Sequence, residues 1–125
     1  MLKTRQVEGV EHQRTLMVMN NLGLIYAHRR RYDDATSLLR EAMRISRRAI
    51  GENHPLTAGI ILSLSEVMAL RGRGDEALTL LEEAVEHGYR DANQIASDED
   101  LKSLRGHRRF DAILAGLRKA PGGKD

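Results

Sequence analysis

Apolar residues recur at spacings of three and four from Val18 to Val85, with polar residues filling the positions between them. That period predicts amphipathic helices. The first is predicted over residues 15–28, with Val18, Met19, Leu22, Ile25 and Tyr26 as its buried stripe. Arg29-Arg30-Arg31 closes it, where cations suit the negative end of the helix dipole. A second helix is predicted from Tyr32, with Asp33 and Asp34 in its first turn and a stripe of Ala35, Leu38, Leu39, Ala42, Met43 and Ile45. Gly51 should stop it. Asn53-His54-Pro55 opens a third helix, because proline is tolerated in the first turn, where its missing N–H has no partner to lose. That helix carries Ile60, Ile61, Leu64, Val67 and Met68 and ends near Arg71-Gly72-Arg73-Gly74. Asp75 and Glu76 open a fourth, which buries Ala77, Leu80, Leu81, Ala84 and Val85 and stops at Gly88. The elements pair into two αα-hairpins joined by short turns.

The two hairpins are copies of one pattern. A shift of 42 residues places Thr15 on Thr57, Leu22 on Leu64, Ala27 on Ala69 and Asp33 on Asp75. It also places Ala35 on Ala77, Leu38-Leu39 on Leu80-Leu81 and Glu41-Ala42 on Glu83-Ala84. Val18 with Ile60, Met19 with Ile61 and Ile25 with Val67 agree in kind. A fixed period of this length marks stacked units that cannot bury their apolar faces alone. Ala27, Ala35, Ala42, Ala69, Ala77 and Ala84 fall where facing helices must approach closely. A longer side chain there overpacks the contact, at about 1–3 kcal/mol.

Both ends depart from the repeat. Gly9 and His12 stand 42 residues before Gly51 and His54, so residues 1–12 read as the tail of an incomplete preceding unit. Residues 13–54 then form the first repeat and 55–88 the second. Beyond Gly88 the period fails. Ser97-Asp98-Glu99-Asp100 caps a short helix carrying Leu101 and Leu104, and a last helix carries Phe110, Ile113, Leu114 and Leu117. Residues 89–118 are thus expected to cap the array, since a solenoid must cover its terminal apolar face. Residues 119–125 are expected to be a frayed tail.

With these residues in place, the chain resembles tetratricopeptide repeats, and within them the longer repeat of kinesin light chains and their bacterial relatives. Asn20-Asn21-Leu22-Gly23-Leu24-Ile25-Tyr26 carries the first-helix signature, and Tyr32-Asp33-Asp34-Ala35 through Leu39 and Ala42 the second. The linker Gly51-Glu52-Asn53-His54-Pro55-Leu56-Thr57 is the most specific piece. Residues 88–118 resemble the segment that ends repeat arrays in some large bacterial proteins, some of them attached to serine/threonine kinases. Four positions depart from the pattern. Arg30 stands where the family places Gly, Gly74 where Tyr32 fills the first repeat, Gln13 where the linker has Pro, and Ser65 where the first repeat has Gly23. The resemblance implies an all-α superhelix of αα-hairpins with C-terminal capping helices.

It also implies a function. In the family, first helices line a concave groove that holds a partner peptide or protein segment. The corresponding groove positions are Met17, Asn20, Asn21, Leu24 and His28 on the first helix, and Ser63, Glu66 and Leu70 on the third. Asn21 matches the kind of position where related repeats hydrogen-bond an extended peptide backbone, since one amide both donates and accepts. The chain is therefore read as a scaffold or adaptor that binds a protein partner of unspecified identity. Self-association through the N-terminal end is a further possible outcome of an uncovered helix face.

Composition narrows the field. The net charge of +2 is too small to predict a polyanion partner, and aromatics at 3% leave few surfaces for base stacking. Arg40, Arg44, Arg47 and Arg48 nevertheless share a helix face, and nucleic-acid binding there is the alternative reading. A third is a capping fragment of a larger array with no ligand of its own. The sequence holds no cysteine, no HExxH, no GxSxG, no GxxxxGK[ST] and no GxGxxG. No catalysis, cofactor or metal is expected, and no membrane span or signal peptide is visible. A cytoplasmic protein is the expectation.

Overall fold

Each helix begins and ends where the chemistry of the chain changes. In the computed structural model, residues 5–119 are described, with side chains described from His12 onward. These residues form α1 (Arg5–His28), α2 (Tyr32–Ala49), α3 (Pro55–Leu70), α4 (Gly74–Glu86), α5 (Ala92–Ser97), a 3-10 helix (Glu99–Leu104) and α6 (Arg108–Lys119). No strand occurs among them. Pro55 opens α3, and the His54 ring caps it, Nδ1 accepting from the Leu56 amide at 3.0 Å. His107 repeats the device ahead of α6, accepting from the Arg109 amide at 3.1 Å. Asp91 and Asp98 cap α5 and the 3-10 helix through their carboxylates. Gly51, at φ 96°, ends the chain's passage out of α2 in the left-handed region that glycine tolerates.

α1 pairs with α2 and α3 with α4, as the repeat predicts, and α3 lies between the hairpins against both α1 and α2. The 3-10 helix packs on α3 and α4, and α6 on α4 and α5. The fold is therefore an all-α stack of two αα-hairpins closed by a helical cap. α3 is buried on almost every side, from Thr57 through Ala69 apart from Gly59. One core joins Leu39, Leu64, Val67, Met68 and Leu81 of the hairpins to Ile95, Leu101, Leu104 and Phe110 of the cap. All six recurring alanines are buried.

Two replacements between the repeats are absorbed locally. At Gly23 a Cβ would stand 2.6 Å from Leu39 Cγ, so α1 and α2 touch through the missing side chain. Ser65, its counterpart, sends its hydroxyl to the Ala77 carbonyl at 2.7 Å instead. Gly74 lacks the ring that Tyr32 supplies, and Leu104 of the cap comes within 3.7 Å of where its Cβ would be.

Three expectations are corrected. α1 runs unbroken through Gly9 and His12 to Arg5, so the turn seen at Gly51–His54 is not repeated there. The cause is Gln13. Proline at position 55 removes an N–H and clashes with a preceding turn, whereas Gln13 lets the helix continue. Residues 1–4 of the expected upstream tail, and 120–125 of the C-terminal one, lie outside the described residues. The second correction concerns the α1 stripe. Leu16, Gly23 and Ala27 are buried, Met19 and Tyr26 are half-buried, and Val18, Leu22 and Ile25 face outward. Those three positions are buried in the second repeat because the first repeat covers them, and among the described residues no hairpin covers the first. The third is α5, a single short turn that the sequence reading passed over between Gly88 and Ser97.

Candidate functional site

The expected groove has two rows, one on each first helix, and they end in different environments. On α1, Met17, Asn21, Leu24 and His28 follow at helical spacing along one face. Met17 and Asn21 are exposed and Leu24 is half-buried. Asn20 sits beside them, half-buried, and its side-chain oxygen is buried with no hydrogen-bond partner. An unpaired buried acceptor is costly unless something supplies a donor.

On α3 the row is covered. Ser63 is buried and turns its hydroxyl back onto the Gly59 carbonyl at 3.1 Å. Glu66 is buried beneath the cap, and its carboxyl lies within 4.8 Å of the carboxylates of Asp98 and Asp100. Burial pushes the Glu66 carboxyl up to about 10, helped by a hydrogen bond to Asp98 and the negative charges of Asp98 and Asp100. At neutral pH it is a protonated acid donating to Asp98. Leu70 is half-buried, and the neighbouring Arg71 reaches back to Asp33 at 2.8 Å and Thr36 at 3.1 Å.

The cap also reaches the first row. His28 Nε2 donates to Asp100, 3.0 and 3.1 Å from its two oxygens. Asp100 thus ties the cap turn to α1, while Asp98 of the same turn meets Glu66 of α3. The structure brings His28 and Glu66 together through the cap, leaves Met17, Asn21 and Leu24 open, and takes Ser63 and Glu66 out of reach of a partner. Sequence reasoning missed Asp98 and Asp100 as neighbours of Glu66. A helix-cap role accounts for Asp98, which accepts from the Asp100 amide at 2.9 Å, so nothing in the local pattern signalled a second one.

Two of the four arginines of the α2 face, Arg44 and Arg47, are committed to internal pairs. Arg40, Arg44, Arg47 and Arg48 line an open depression of about 500 Å³ with Met43. Arg44 donates to Glu41 at 2.5 Å, and Arg47 pairs with Glu83 of the second hairpin and lies 3.8 Å from Glu52. On α6, Arg109 forks over Glu82 at 2.8 and 3.2 Å and also donates to Thr79, tying the cap to α4. That guanidinium holds the Glu82 carboxyl below its usual range. No helix of the described residues is long and apolar enough to cross a membrane.

Two hairpins in a 42-residue register, closed by a cap that does not repeat, define an α-helical repeat protein. The chain belongs to the tetratricopeptide repeat family, which it matches over residues 5–87. Just over half of it, residues 57–120, belongs at the same time to the family described as A/B hydrolase-like, N-terminal domain. That second match takes in most of α3, α4 and the whole cap. No curated protein and no solved structure matches the chain. Tetratricopeptide repeats generally mediate protein–protein interaction.

Proposed function

We propose that the chain is a scaffold or adaptor module that holds an extended segment of a partner protein against the open row of α1. One observation carries this reading. Met17 and Asn21 are exposed and Leu24 half-buried on α1, while Ser63 and Glu66 of the equivalent row on α3 are buried. The Asn21 amide can serve both an N–H and a C=O of a peptide backbone. Met17 and Leu24 supply adaptable apolar contact. The long repeat and the Gly51–Thr57 linker support a place in the kinesin-light-chain-like branch. The lack of cysteine supports a reducing, cytoplasmic setting.

The module is read as a binder rather than a catalyst. The hydrolase-related description concerns an N-terminal domain, and here it falls on helices alone. An α/β-hydrolase nucleophile stands on a strand-to-helix elbow with the pattern GxSxG, which the sequence lacks. The internal pairing of Arg44 and Arg47 leaves the phosphate-binding alternative without support.

The test is affinity capture from the native host's lysate, comparing wild type with Met17→Ala/Asn21→Ala at low and moderate salt. A protein retained at both salts by wild type and lost by the variant is the expected result. Capture that the double variant leaves intact, or nucleic acid that elutes with salt, would overturn it.

A further inference from the structure

The outer face of α2 presents Arg40, Met43, Arg44, Arg47 and Arg48 at successive turns around its open depression. Arg44 and Arg47 are met from within, by Glu41 and Glu83. Arg40 and Arg48 are exposed and pair with no carboxylate among the described residues. The second repeat shows what position 40 lacks. Its counterpart 42 residues on, Glu82, is met by Arg109 of α6 at 2.8 Å. The same place on the outer wall thus carries a charge in both repeats, answered in the second and unanswered in the first. Half-buried Met43 stands between the two free arginines and gives the depression an apolar floor. Carboxylates bound the row at both ends. Asp75 and Glu76 line a smaller depression on the α4 side of Arg40, and Glu52 lies 3.8 Å from Arg47.

We propose that this face is a second docking surface, taking an acidic segment of a partner protein that lies extended along α2, with one carboxylate on Arg40, one on Arg48 and an aliphatic side chain on Met43. Spacing selects that form. Arg40 and Arg48 stand two turns apart, about 12 Å along the helix axis. In an extended chain, residues i, i+2 and i+4 share one side and span about 13 Å, which fits the order carboxylate, aliphatic, carboxylate. Charge selects the sign, since the two unanswered groups are both cations. A nucleic acid fits less well. Its phosphates need an unbroken run of cations and its bases need aromatic faces, whereas this row has an apolar centre, acids at either end and no aromatic lining residue. The surface shares no residue with the Met17–Asn21–Leu24 row of α1, so the two sites can be lost independently.

The test is an amide NMR titration of the isotope-labelled full chain with short synthetic peptides. One carries Glu-Ser-Leu-Ser-Glu at its centre, a second has lysine for both glutamates, a third has serine for the leucine, and a single-stranded oligothymidylate is the fourth probe. The expected result is that the glutamate–leucine peptide moves the signals of α2 between Arg40 and Arg48, and that the lysine peptide does not. The leucine-free peptide should bind more weakly. Arg40→Gln/Arg48→Gln should weaken binding about tenfold, as for two lost exposed charge contacts, while Met17→Ala/Asn21→Ala leaves it unchanged. Both arginines are exposed, and an unshifted spectrum away from α2 confirms that the double variant folds. The proposal is overturned by equal binding of the lysine peptide, by binding indifferent to Arg40→Gln/Arg48→Gln, or by shifts on α1 in place of α2. Tighter binding of the oligonucleotide on the same face, or no shift with the glutamate–leucine peptide at millimolar concentration, overturns it as well.

Discussion

Glu66 shares a hydrogen bond with Asp98 across the seam between α3 and the cap, the protonated Glu66 carboxyl donating. Glu66 is buried, Asp98 opens the 3-10 helix, and Asp100 of the same turn is tied to His28. The seam that closes the repeat stack is therefore held by a proton as well as by Leu101 and Leu104. Two ionised carboxylates this close and this dry repel, so the proton is a condition of the cap's position.

A pH dependence follows. The Glu66 carboxyl sits near 10 in the fold against an ordinary value of 4.5, so the folded chain keeps a proton that the unfolded chain releases. Its contribution to stability is fully present below 4.5 and is lost as pH rises from there toward 10. The loss runs at up to about 1.4 kcal/mol per pH unit within that window. Glu66→Gln removes the titration while keeping a donor for Asp98. Urea unfolding of both proteins at pH 5 and pH 8 should show the variant gaining on wild type by a few kcal/mol at the higher pH. Parallel profiles would mean that Glu66 is not the proton-holding group.

Arg30 offers a simpler test of the repeat equivalence. It lies at φ 66°, and Gly72, 42 residues later, at φ 82°. Left-handed backbone costs an L-residue about 1–2 kcal/mol, and glycine almost nothing. Arg30→Gly should raise stability by about 1 kcal/mol, the cost of glycine's freedom in the unfolded chain offsetting part of the gain. Gly72→Ala should lower it by a similar amount. Chemical denaturation decides, and an Arg30→Gly variant less stable than wild type would contradict the strain.

The exposed and buried leucines of the repeat should separate cleanly. Leu39 and Leu81 are fully buried at matching positions of α2 and α4. An aspartate at either site places an unpaired charge in the core, at a cost comparable with the whole stability of a small domain. Leu39→Asp and Leu81→Asp should therefore abolish the cooperative melt, whereas Leu22→Asp should leave the fold of the single chain intact. Near-normal melts for the first two would show that the core lies elsewhere.

What the sequence made legible follows the 42-residue period. Helix starts at Tyr32, Pro55 and Gly74, ends at Ala49 and Glu86, and the six alanine contacts were readable because each rests on local chemistry repeated twice. The fate of the α1 stripe was not. Amphipathic spacing shows that Val18, Leu22 and Ile25 share a face, but whether a second layer covers that face depends on what packs there. The groove was half legible for the same reason. Met17 and Asn21 are exposed and Leu24 is half-buried, while Ser63 and Glu66 are buried, Glu66 beneath a cap that no repeat register could place.

The contact between Gly23 and Leu39 sets two ordinary effects against each other. Glycine within a helix is about 1 kcal/mol worse than alanine, so propensity alone makes Gly23→Ala a stabilising change. The added Cβ, however, would stand 2.6 Å from Leu39 Cγ and 2.8 Å from Cδ2. Leu39 is fully buried, so it has no solvent to retreat into, and α1 must move away from α2 instead. Overpacking of this kind costs about 1–3 kcal/mol and outweighs the propensity gain. Gly23→Ala is therefore expected to lower stability by about 1–2 kcal/mol, and Gly23→Ala/Leu39→Ala to lose less than the sum of the two single changes. A double-mutant cycle by denaturant unfolding measures that coupling. Strict additivity would show that α1 and α2 do not meet at this point.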